Sequence, residues 1–283
     1  MIVTCFYTGL INTEFGGRPN SFKRRYLYGI SNLQYNTQKK VIYTSNKDYD
    51  ELVNHINNNV NEENIEKYQI KIFDLKNQTF HERIQSIRKK DGYVQDRCLE
   101  IQYGKFQFLL NEINNDEYLW WVDAGLLDQH LFLKEHVNNL EKFNLFNDVF
   151  FEKLKKDIKE SVYFICGDRH NHYSHGKPNK KFFEKNYQNR YHPVGGFFGG
   201  KKELLENFLI KCNDKIDIIL NDNLLYSEEI IMEIILSENI DNYIFKTFTT
   251  WIHKERGVYK KMSNNEKINF ESNNKPYYVN FLS

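Results

Sequence analysis

Short apolar runs alternate with amphipathic segments along the first half of the chain. Runs rich in β-branched and aromatic residues predict strands, and they lie at residues 2–8, 41–44, 70–75 and 118–122. The helical patterns between them predict helices over residues 21–35, 48–60 and 95–115. The run at 118–122, Tyr-Leu-Trp-Trp-Val, is apolar on both faces, which is typical of a central strand in a parallel sheet.

The second half of the chain is less regular. Polar, helix-forming sequence extends to about residue 160, and residues 168–192 are predicted to be irregular and basic. Further strands are predicted at 162–166 and 243–248, and further helices at about 201–212 and 227–237. No internal repeat or linker interrupts the pattern. Alternating strands and helices therefore predict a single α/β domain, with a mostly parallel central sheet flanked by helices.

The composition is that of a globular protein, and its charge does not favour binding to nucleic acid or to an anionic membrane. Of the 283 residues, 40% are hydrophobic and 27% are charged, which is ordinary for a folded domain. The net charge is only +1, so no global field attracts nucleic acid or an anionic membrane, and we expect no nucleic-acid partner. Aromatic residues reach 16%, a content that suits both a core and platforms for sugar rings or nucleobases.

Cysteine usage and the N-terminal sequence both indicate a reducing compartment. The four cysteines lack the spacing of a metal finger, so we expect buried thiols without a disulfide. The N-terminus reads directly as a strand rather than as a signal peptide, and no apolar run approaches the roughly 20 residues of a membrane span. We expect a cytoplasmic protein, in a bacterial cell or an infected host cell, for which peripheral membrane association is the closest approach to a bilayer.

Asp123 is the first candidate for chemistry. It follows the buried strand at 118–122 and precedes two small residues, Ala124 and Gly125. Ligands of open α/β sheets bind at the carboxyl ends of the strands, and a carboxylate there can hold a divalent cation against a diphosphate. The alternative is that Asp-Ala-Gly only turns the chain.

The segment 193–200, Pro-Val-Gly-Gly-Phe-Phe-Gly-Gly, is the second candidate. Glycine pairs clear space beside a bound ring, although a tight hairpin or strand bend explains the same spacing. A third candidate is the helix start Ser227-Glu228-Glu229, where two acids occupy the first turn. The helix dipole stabilises acids there, and a rigid helix also presents a carboxylate well as a base.

Histidines and basic residues complete the candidates. His170 heads a histidine cluster for which a polar loop near an acceptor is a better explanation than zinc, because structural zinc prefers thiolate ligands at a recognisable spacing and Cys166 is the one cysteine near the cluster. His253 follows the last predicted strand and could reach back as a metal ligand. Arg24, Arg25 and Lys105 could each reach a donor diphosphate, with solvent exposure as the common alternative.

The order of these pieces resembles the HtrL/YibB-like family and its GT-A glycosyltransferase relatives. The pieces are Ile-Val-Thr-Cys-Phe-Tyr at 2–7, Trp-Val-Asp-Ala-Gly at 121–125, the glycine-rich segment at 195–200 and the acidic helix start. They span roughly residues 1–240. The resemblance implies a single GT-A-like (Rossmann-like) domain over 1–283, with a donor nucleotide half at about 1–125, an acceptor half at about 126–262 and a C-terminal tail at 263–283.

The resemblance also implies a donor site. It makes the first strand part of the nucleotide pocket, through Thr4, Cys5, Phe6 and Tyr7. It matches Asp123, with Ala124 and Gly125, to the D-x-D element that holds Mn²⁺ or Mg²⁺ on the donor diphosphate. Gly125 replaces the second acid of that element, which makes metal dependence less certain and calls for a further ligand. His253 matches a late histidine that serves this purpose in several relatives.

An acceptor site follows in the same way. Gly195, Gly196 and Phe197 match the glycine-rich strand under donor sugar and acceptor, with His170 nearby. Glu229 matches the general base of inverting members, and Glu228 an acceptor contact. Some relatives have an acid followed by glutamine at this point, so inversion and retention both stay open.

The resemblance therefore implies an enzyme of glycan biosynthesis, a hexosyl- or pentosyltransferase. It would move a sugar from a nucleoside diphosphate donor, with a UDP-sugar expected, to a hydroxyl of a glycan acceptor. One alternative is a carbohydrate- or nucleotide-binding module that has lost turnover, as the missing second acid suggests. The other is a nucleotidyltransferase, although the glycine-rich, lysine-bearing first loop of that class is absent.

Overall fold

The computed structural model describes residues 1–8, 20–91, 99–127, 148–157, 162–168, 191–238 and 243–247. The strands are β1 (Ile2–Phe6), β2 (Lys40–Thr44), β3 (Tyr68–Ile72), β4 (Tyr118–Val122), β5 (Val162–Asp168), β6 (Tyr191–Lys201) and β7 (Tyr243–Thr247). The α-helices are α1 (Asn20–Asn32), α2 (Asn46–Asn59), α3 (Glu62–Ile65), α4 (His81–Asp91), α5 (Leu99–Glu112), α6 (Ala124–Leu127), α7 (Asp148–Asp157), α8 (Lys202–Asn221) and α9 (Glu228–Glu238).

These strands form one sheet in the order β3-β2-β1-β4-β6-β5-β7. Strands β1, β2, β3 and β4 pair in parallel, as do β5 and β7. Only β6, among the described strands, runs against its two neighbours, β4 and β5. The predicted α/β class with a mostly parallel central sheet is therefore confirmed. The same topology brings the carboxyl ends of β1 and β4 to one edge, where β6 begins its pairing with β4.

Helices cover both faces of the sheet because the central strands are apolar on both sides. Helices α4, α5, α8 and α9 bury one face, and that core includes Trp121 and Phe198. Helices α1, α2 and α6 bury the other face against Phe6 and Ile42. Trp120 also points to this second side, where its ring stacks on Phe197 with 5.8 Å between ring centroids. Alternation along β4 and β6 thus sends successive aromatic residues into two cores.

The predicted elements agree with the structure most closely in the central strands. The run at 118–122 is β4, and the runs at 2–8 and 41–44 are β1 and β2. The run predicted at 70–75 begins two residues earlier, at Tyr68, and ends at Ile72. The hairpin alternative for 193–200 is wrong, since these residues lie within one strand, β6, whereas the alternative of a strand bend agrees with a register shift in the pairing of β5 with β6, between Phe164–Phe198 and Cys166–Pro193. Helix α4 was not predicted.

Two further expectations concern side-chain chemistry and membranes. Cys5 and Cys212 are buried thiols, as predicted, and burial raises the pKa of Cys212 well above its ordinary value. Cys98 and the side chain of Cys166 lie outside the described part of the chain. Within that part, no helix has the length and apolar character needed to cross a bilayer.

Lys40 gives the fold a predictable pH dependence. Its side chain is fully buried in β2, and its ammonium donates a hydrogen bond to the Asn36 carbonyl oxygen at 2.5 Å. Burial lowers the pKa of Lys40 to about 7, with a further contribution from Lys67. The unfolded chain holds this proton up to an ordinary lysine pKa of about 10.4. Between these two values the unfolded state binds more protons, so the stability of the fold rises with pH.

Lys40→Met is expected to make the free energy of unfolding depend less on pH. For one proton, the free energy of unfolding rises by at most about 1.4 kcal/mol per pH unit. The measurement is urea unfolding of both proteins at a series of pH values from 7 to 9.5. Lys39→Met, at an exposed neighbouring position, is the matched control and should keep the slope of the unmodified protein. Equal slopes for Lys40→Met and the unmodified protein would show that Lys40 is not the responsible group.

Candidate functional site

Asp123 lies at the carboxyl end of β4, where the sequence predicted a ligand site. Its backbone N–H donates to the Gly196 carbonyl oxygen at 2.7 Å, which extends the pairing of β4 with β6 by one residue. Its Oδ1 accepts a hydrogen bond from the Gly125 N–H at 2.9 Å. The carboxylate thus also shapes the turn into α6, and its side chain is 25% exposed. The turn and ligand interpretations of Asp123 are therefore compatible with one another.

Lys105, from the middle of α5, lies beside Asp123 and is buried. Its ammonium donates to Glu228 Oε1 at 2.6 Å and to the Gly195 carbonyl oxygen at 2.9 Å. It also lies 3.7 Å from Asp123 Oδ2. A contact between Lys105 and a donor diphosphate stays a prediction. In the structure the ammonium donates hydrogen bonds to groups of the protein itself.

The charge of Lys105 is maintained by its neighbours. Burial by itself lowers the pKa of a lysine, because it penalises the charged form. Here the carboxylates of Glu228, Asp123 and Glu229 outweigh burial and hold the pKa of Lys105 above its ordinary value. Lys105 is therefore a permanent cation among three acids.

Glu228 and Glu229 begin α9 but differ in their surroundings. The side chain of Glu228 is only 6% exposed, and it contacts Lys105. The side chain of Glu229 is half-buried, and its Oε1 accepts a hydrogen bond from the Gly195 N–H at 3.3 Å. Adjacent positions on a helix point about 100° apart, which accounts for the difference. Of the two acids, Glu229 is the one that can meet a substrate.

Gly195 and Gly196 join these acids through the backbone of β6. Gly195 bonds to Glu229 through its N–H, and the next residue, Gly196, bonds to the backbone of Asp123 through its carbonyl. The Glu229 carboxylate and the Asp123 turn are thus fixed to consecutive residues of one strand. Phe197, predicted to touch an acceptor, is instead fully buried against Trp120 and belongs to the core.

Strand β1 reaches the sheet edge at the carboxyl end of β4 only through the residues at its own carboxyl end. Thr4, Cys5 and Phe6 are buried inside the sheet, which differs from the prediction that they line a nucleotide pocket. Tyr7 is half-buried, and its hydroxyl donates to the Phe73 carbonyl oxygen at 3.1 Å. A ligand would therefore meet β1 at its carboxyl end rather than along the strand.

Thr8 and Asp48 lie beside that end and are not among the predicted site residues. The Thr8 N–H donates to Asp48 Oδ2 at 2.9 Å, and the Thr8 hydroxyl donates to Oδ1 of the same carboxylate. Ser45 caps α2 by accepting a hydrogen bond from the Asp48 N–H at 3.1 Å. The Ser-x-x-Asp spacing directly after β2 is a capping signature that could have revealed this helix start. It could not have revealed the contact with Thr8.

The ring of Tyr26 lies close to Gly125 and leaves little room for a side chain at that position. A β-carbon on Gly125 would lie 2.9 Å from Cζ and 3.1 Å from the hydroxyl oxygen of Tyr26, closer than side chains normally approach. The ring thus occupies the space in which the second acid of a D-x-D element would begin. Ala124 is buried as well, so these small residues accommodate packing by α1 as well as any ligand.

Gly125→Asp is consequently expected to destabilise the protein by about 1–3 kcal/mol, as overpacked substitutions do. Urea unfolding measures the loss. Combining it with Tyr26→Ala removes the ring that the new side chain meets, so the added cost of Gly125→Asp should be smaller in that background. A single variant as stable as the unmodified protein would show that Tyr26 does not exclude an acid here.

The described donor groups of this site are too few for the predicted divalent cation. Asp123 offers one carboxylate, of which Oδ1 already accepts the Gly125 N–H and Oδ2 lies near the Lys105 ammonium. Within the described ranges no group of three histidine, cysteine, aspartate or glutamate side chains could hold a metal ion. These residues by themselves do not fit such a site. The predicted further ligand, His253, lies outside the described residues.

The remaining predicted residues are placed only in part. Arg24 and Arg25 lie on α1, the helix that carries Tyr26, but their side chains are outside the described part of the structure. His170 is also outside it. Their predicted contacts with donor and acceptor stay predictions.

Comparison with known proteins gives structural matches only. No protein-family model matches the sequence, and no curated protein matches it. Among solved structures, the chain is similar to a galactosyltransferase, LgtC, in complex with donor and acceptor sugar analogues, with 8% identity, a TM-score of 0.45 and coverage of 86% of this chain and 72% of that one. It is also similar to mouse xyloside xylosyltransferase 1 in its apo form, with 10% identity, a TM-score of 0.47 and coverage of 87% and 84%.

Proposed function

We propose that this protein is a glycosyltransferase that moves a sugar from a nucleoside diphosphate donor, a UDP-sugar, to a hydroxyl of a glycan acceptor. The observation that carries the proposal is the joint attachment of Glu229 and Asp123 to Gly195 and Gly196 of β6. A rigid helix start thereby holds one carboxylate beside a second, at the sheet edge where α/β proteins bind ligands. The motif order supports placing the chain among relatives of the HtrL/YibB-like family.

The reaction can be written with residues of this chain. The acceptor hydroxyl oxygen attacks the anomeric carbon of the donor sugar and forms the new glycosidic bond. Its proton passes to the Glu229 carboxylate, which acts as general base. The bond between the anomeric carbon and the diphosphate oxygen breaks, and the nucleoside diphosphate leaves with the electron pair. Direct displacement inverts the configuration at the anomeric carbon.

Asp123 and Lys105 take no part in the proton transfer; they fix the shape and the charge of the site around Glu229. Asp123 fixes the turn after β4 against β6 and directs a partly exposed carboxylate to the sheet edge. Lys105 balances part of the negative charge that three neighbouring acids would otherwise concentrate there. A role for Mn²⁺ or Mg²⁺ on Asp123 and His253 remains a proposal from the resemblance, and no step above depends on it.

A second candidate is a module that binds a nucleotide sugar without turning it over. The specific observation in its favour is the turn after β4, where Gly125 stands in place of a second acid and the Tyr26 ring crowds the space beside it. Both candidates predict binding of donors, and only the first predicts their cleavage.

The two candidates are separated by a donor panel. Thermal shifts with UDP-, GDP- and CMP-sugars, each with and without Mn²⁺, identify the ligand, because a hundredfold excess over the dissociation constant stabilises by about 2.7 kcal/mol. Release of nucleoside diphosphate from the same donors then measures turnover. Stabilisation with slow release supports the transferase. Stabilisation without release by any donor supports the module.

A further inference from the structure

We propose that Lys105 and Glu228 act as a buried positioning pair, which holds Gly195 in place and through it the base, Glu229. This proposal rests on the proposed function, since it assigns a role at the same site. It gives Glu228 a task different from the acceptor contact that the resemblance implies.

Glu228 is closed off from any substrate. The residue is 4% exposed, and its Oε1 accepts the hydrogen bond from Lys105 at 2.6 Å. Its Oε2 is buried too and has no hydrogen-bond partner among the described residues. A ligand hydroxyl cannot reach an oxygen that solvent does not reach. The Glu228 carboxylate is therefore a fixed counter-ion for Lys105.

Gly195 is held from three sides by this pair and by Glu229. Lys105 donates to its carbonyl oxygen at 2.9 Å, and Glu229 accepts from its N–H at 3.3 Å. On the third side, a β-carbon at this position would lie 2.4 Å from Glu228 Oε1, so only glycine lets that carboxylate lie against the strand. A shift of the Glu228 side chain would therefore disturb the peptide that orients Glu229.

Helix α5 makes a second hydrogen bond near the start of α9, besides the one from Lys105 to Glu228. Tyr103, two residues before Lys105, donates a hydrogen bond from its hydroxyl to the Tyr226 carbonyl oxygen at 2.6 Å. One helix thus fixes both the segment that leads into α9 and the strand opposite Glu229. A buried ion pair is a weak source of stability but can specify one arrangement of the groups around it. This arrangement is the one that directs Glu229 to the substrate edge.

A double-mutant cycle tests whether the pair exists. Lys105→Met and Glu228→Met each remove the closest counter-ion of a buried charge and should lower Tm by on the order of 10 °C. The double variant removes both charges and should be clearly more stable than either single variant. Additive losses in the double variant would show that the two charges do not interact, and would overturn the proposal.

Activity then distinguishes positioning from simple stabilisation. The double variant regains stability but no longer holds the Gly195 carbonyl, so we expect kcat at least tenfold below that of the unmodified protein, with the KM for the donor unchanged. Lys105→Arg keeps a cation and should retain more activity than Lys105→Met. A double variant that recovers both stability and kcat would show that the pair only stabilises the fold.

The chain offers a matched control on the same helix. Glu112, at the end of α5, is buried and pairs with Lys71 at 2.5 Å, away from the candidate site. Lys71→Met should cost stability without changing kcat. If the unmodified protein cleaves no donor, the proposed function fails, and the positioning pair is then judged by the stability cycle alone.

Discussion

Glu229→Gln is expected to lower kcat for sugar transfer by about a hundredfold to ten-thousandfold, the usual contribution of a general base. The substitution keeps the shape of the side chain and an oxygen that can accept the Gly195 N–H, but it removes the ability to take a proton. The KM for the donor should change little, because the interaction is lost in the transition state rather than in the bound ground state. Steady-state kinetics with a cleaved donor and its acceptor measure both constants.

Glu206→Gln, at an exposed position of α8, is the control for loss of a carboxylate as such and should leave kcat unchanged. Product configuration provides an independent check, since inversion converts an α-linked donor into a β-linked product. An α-linked product detected by NMR would show that the enzyme retains configuration and that Glu229 is not its base. Unchanged kcat in Glu229→Gln would also contradict the assignment.

Asp123→Ala should abolish detectable transfer, because it removes the carboxylate that we propose lies at the donor diphosphate site. The fold should survive, because the backbone N–H of Asp123 keeps its bond to Gly196. Asp123→Asn separates the two tasks of this residue. Asparagine retains an oxygen that can accept the Gly125 N–H and so preserves the turn, but it carries no charge.

The expected result is that Asp123→Asn is nearly as inactive as Asp123→Ala while unfolding at the temperature of the unmodified protein. Circular dichroism establishes the fold of each variant before kinetics are compared. Full activity in Asp123→Asn would reduce Asp123 to a turn residue and remove it from the site.

The sheet was largely predictable from the sequence because its central strands are short apolar runs. Strand β4 is apolar at each position, and its predicted bounds are those observed. Strand β6 was harder to predict, because Pro193 and its glycines also fit a tight hairpin. Its extended form depends on pairing with β4 and β5, which are distant in sequence, and local propensity does not encode such pairing.

The candidate site was predictable in its residue types more than in its contacts. Asp123 and Glu229 follow from their places after a strand and at a helix start. The pairing of Lys105 with Glu228 joins residues 123 positions apart and requires the packing of α5 against α9. The contact between Tyr26 and Gly125 is similar, because a ring on α1 crowds the space beside Gly125 only in the folded chain.

The most direct test of the account is nucleoside diphosphate release by the unmodified protein, measured over the panel of sugar nucleotides. We expect at least one donor, a UDP-sugar, to be cleaved slowly in water and faster when a glycan acceptor is added. Glu229→Gln should bind that donor equally well and fail to accelerate its cleavage with acceptor. Tight binding of a sugar nucleotide without release, with or without acceptors, would contradict the account and leave the site as a binding module.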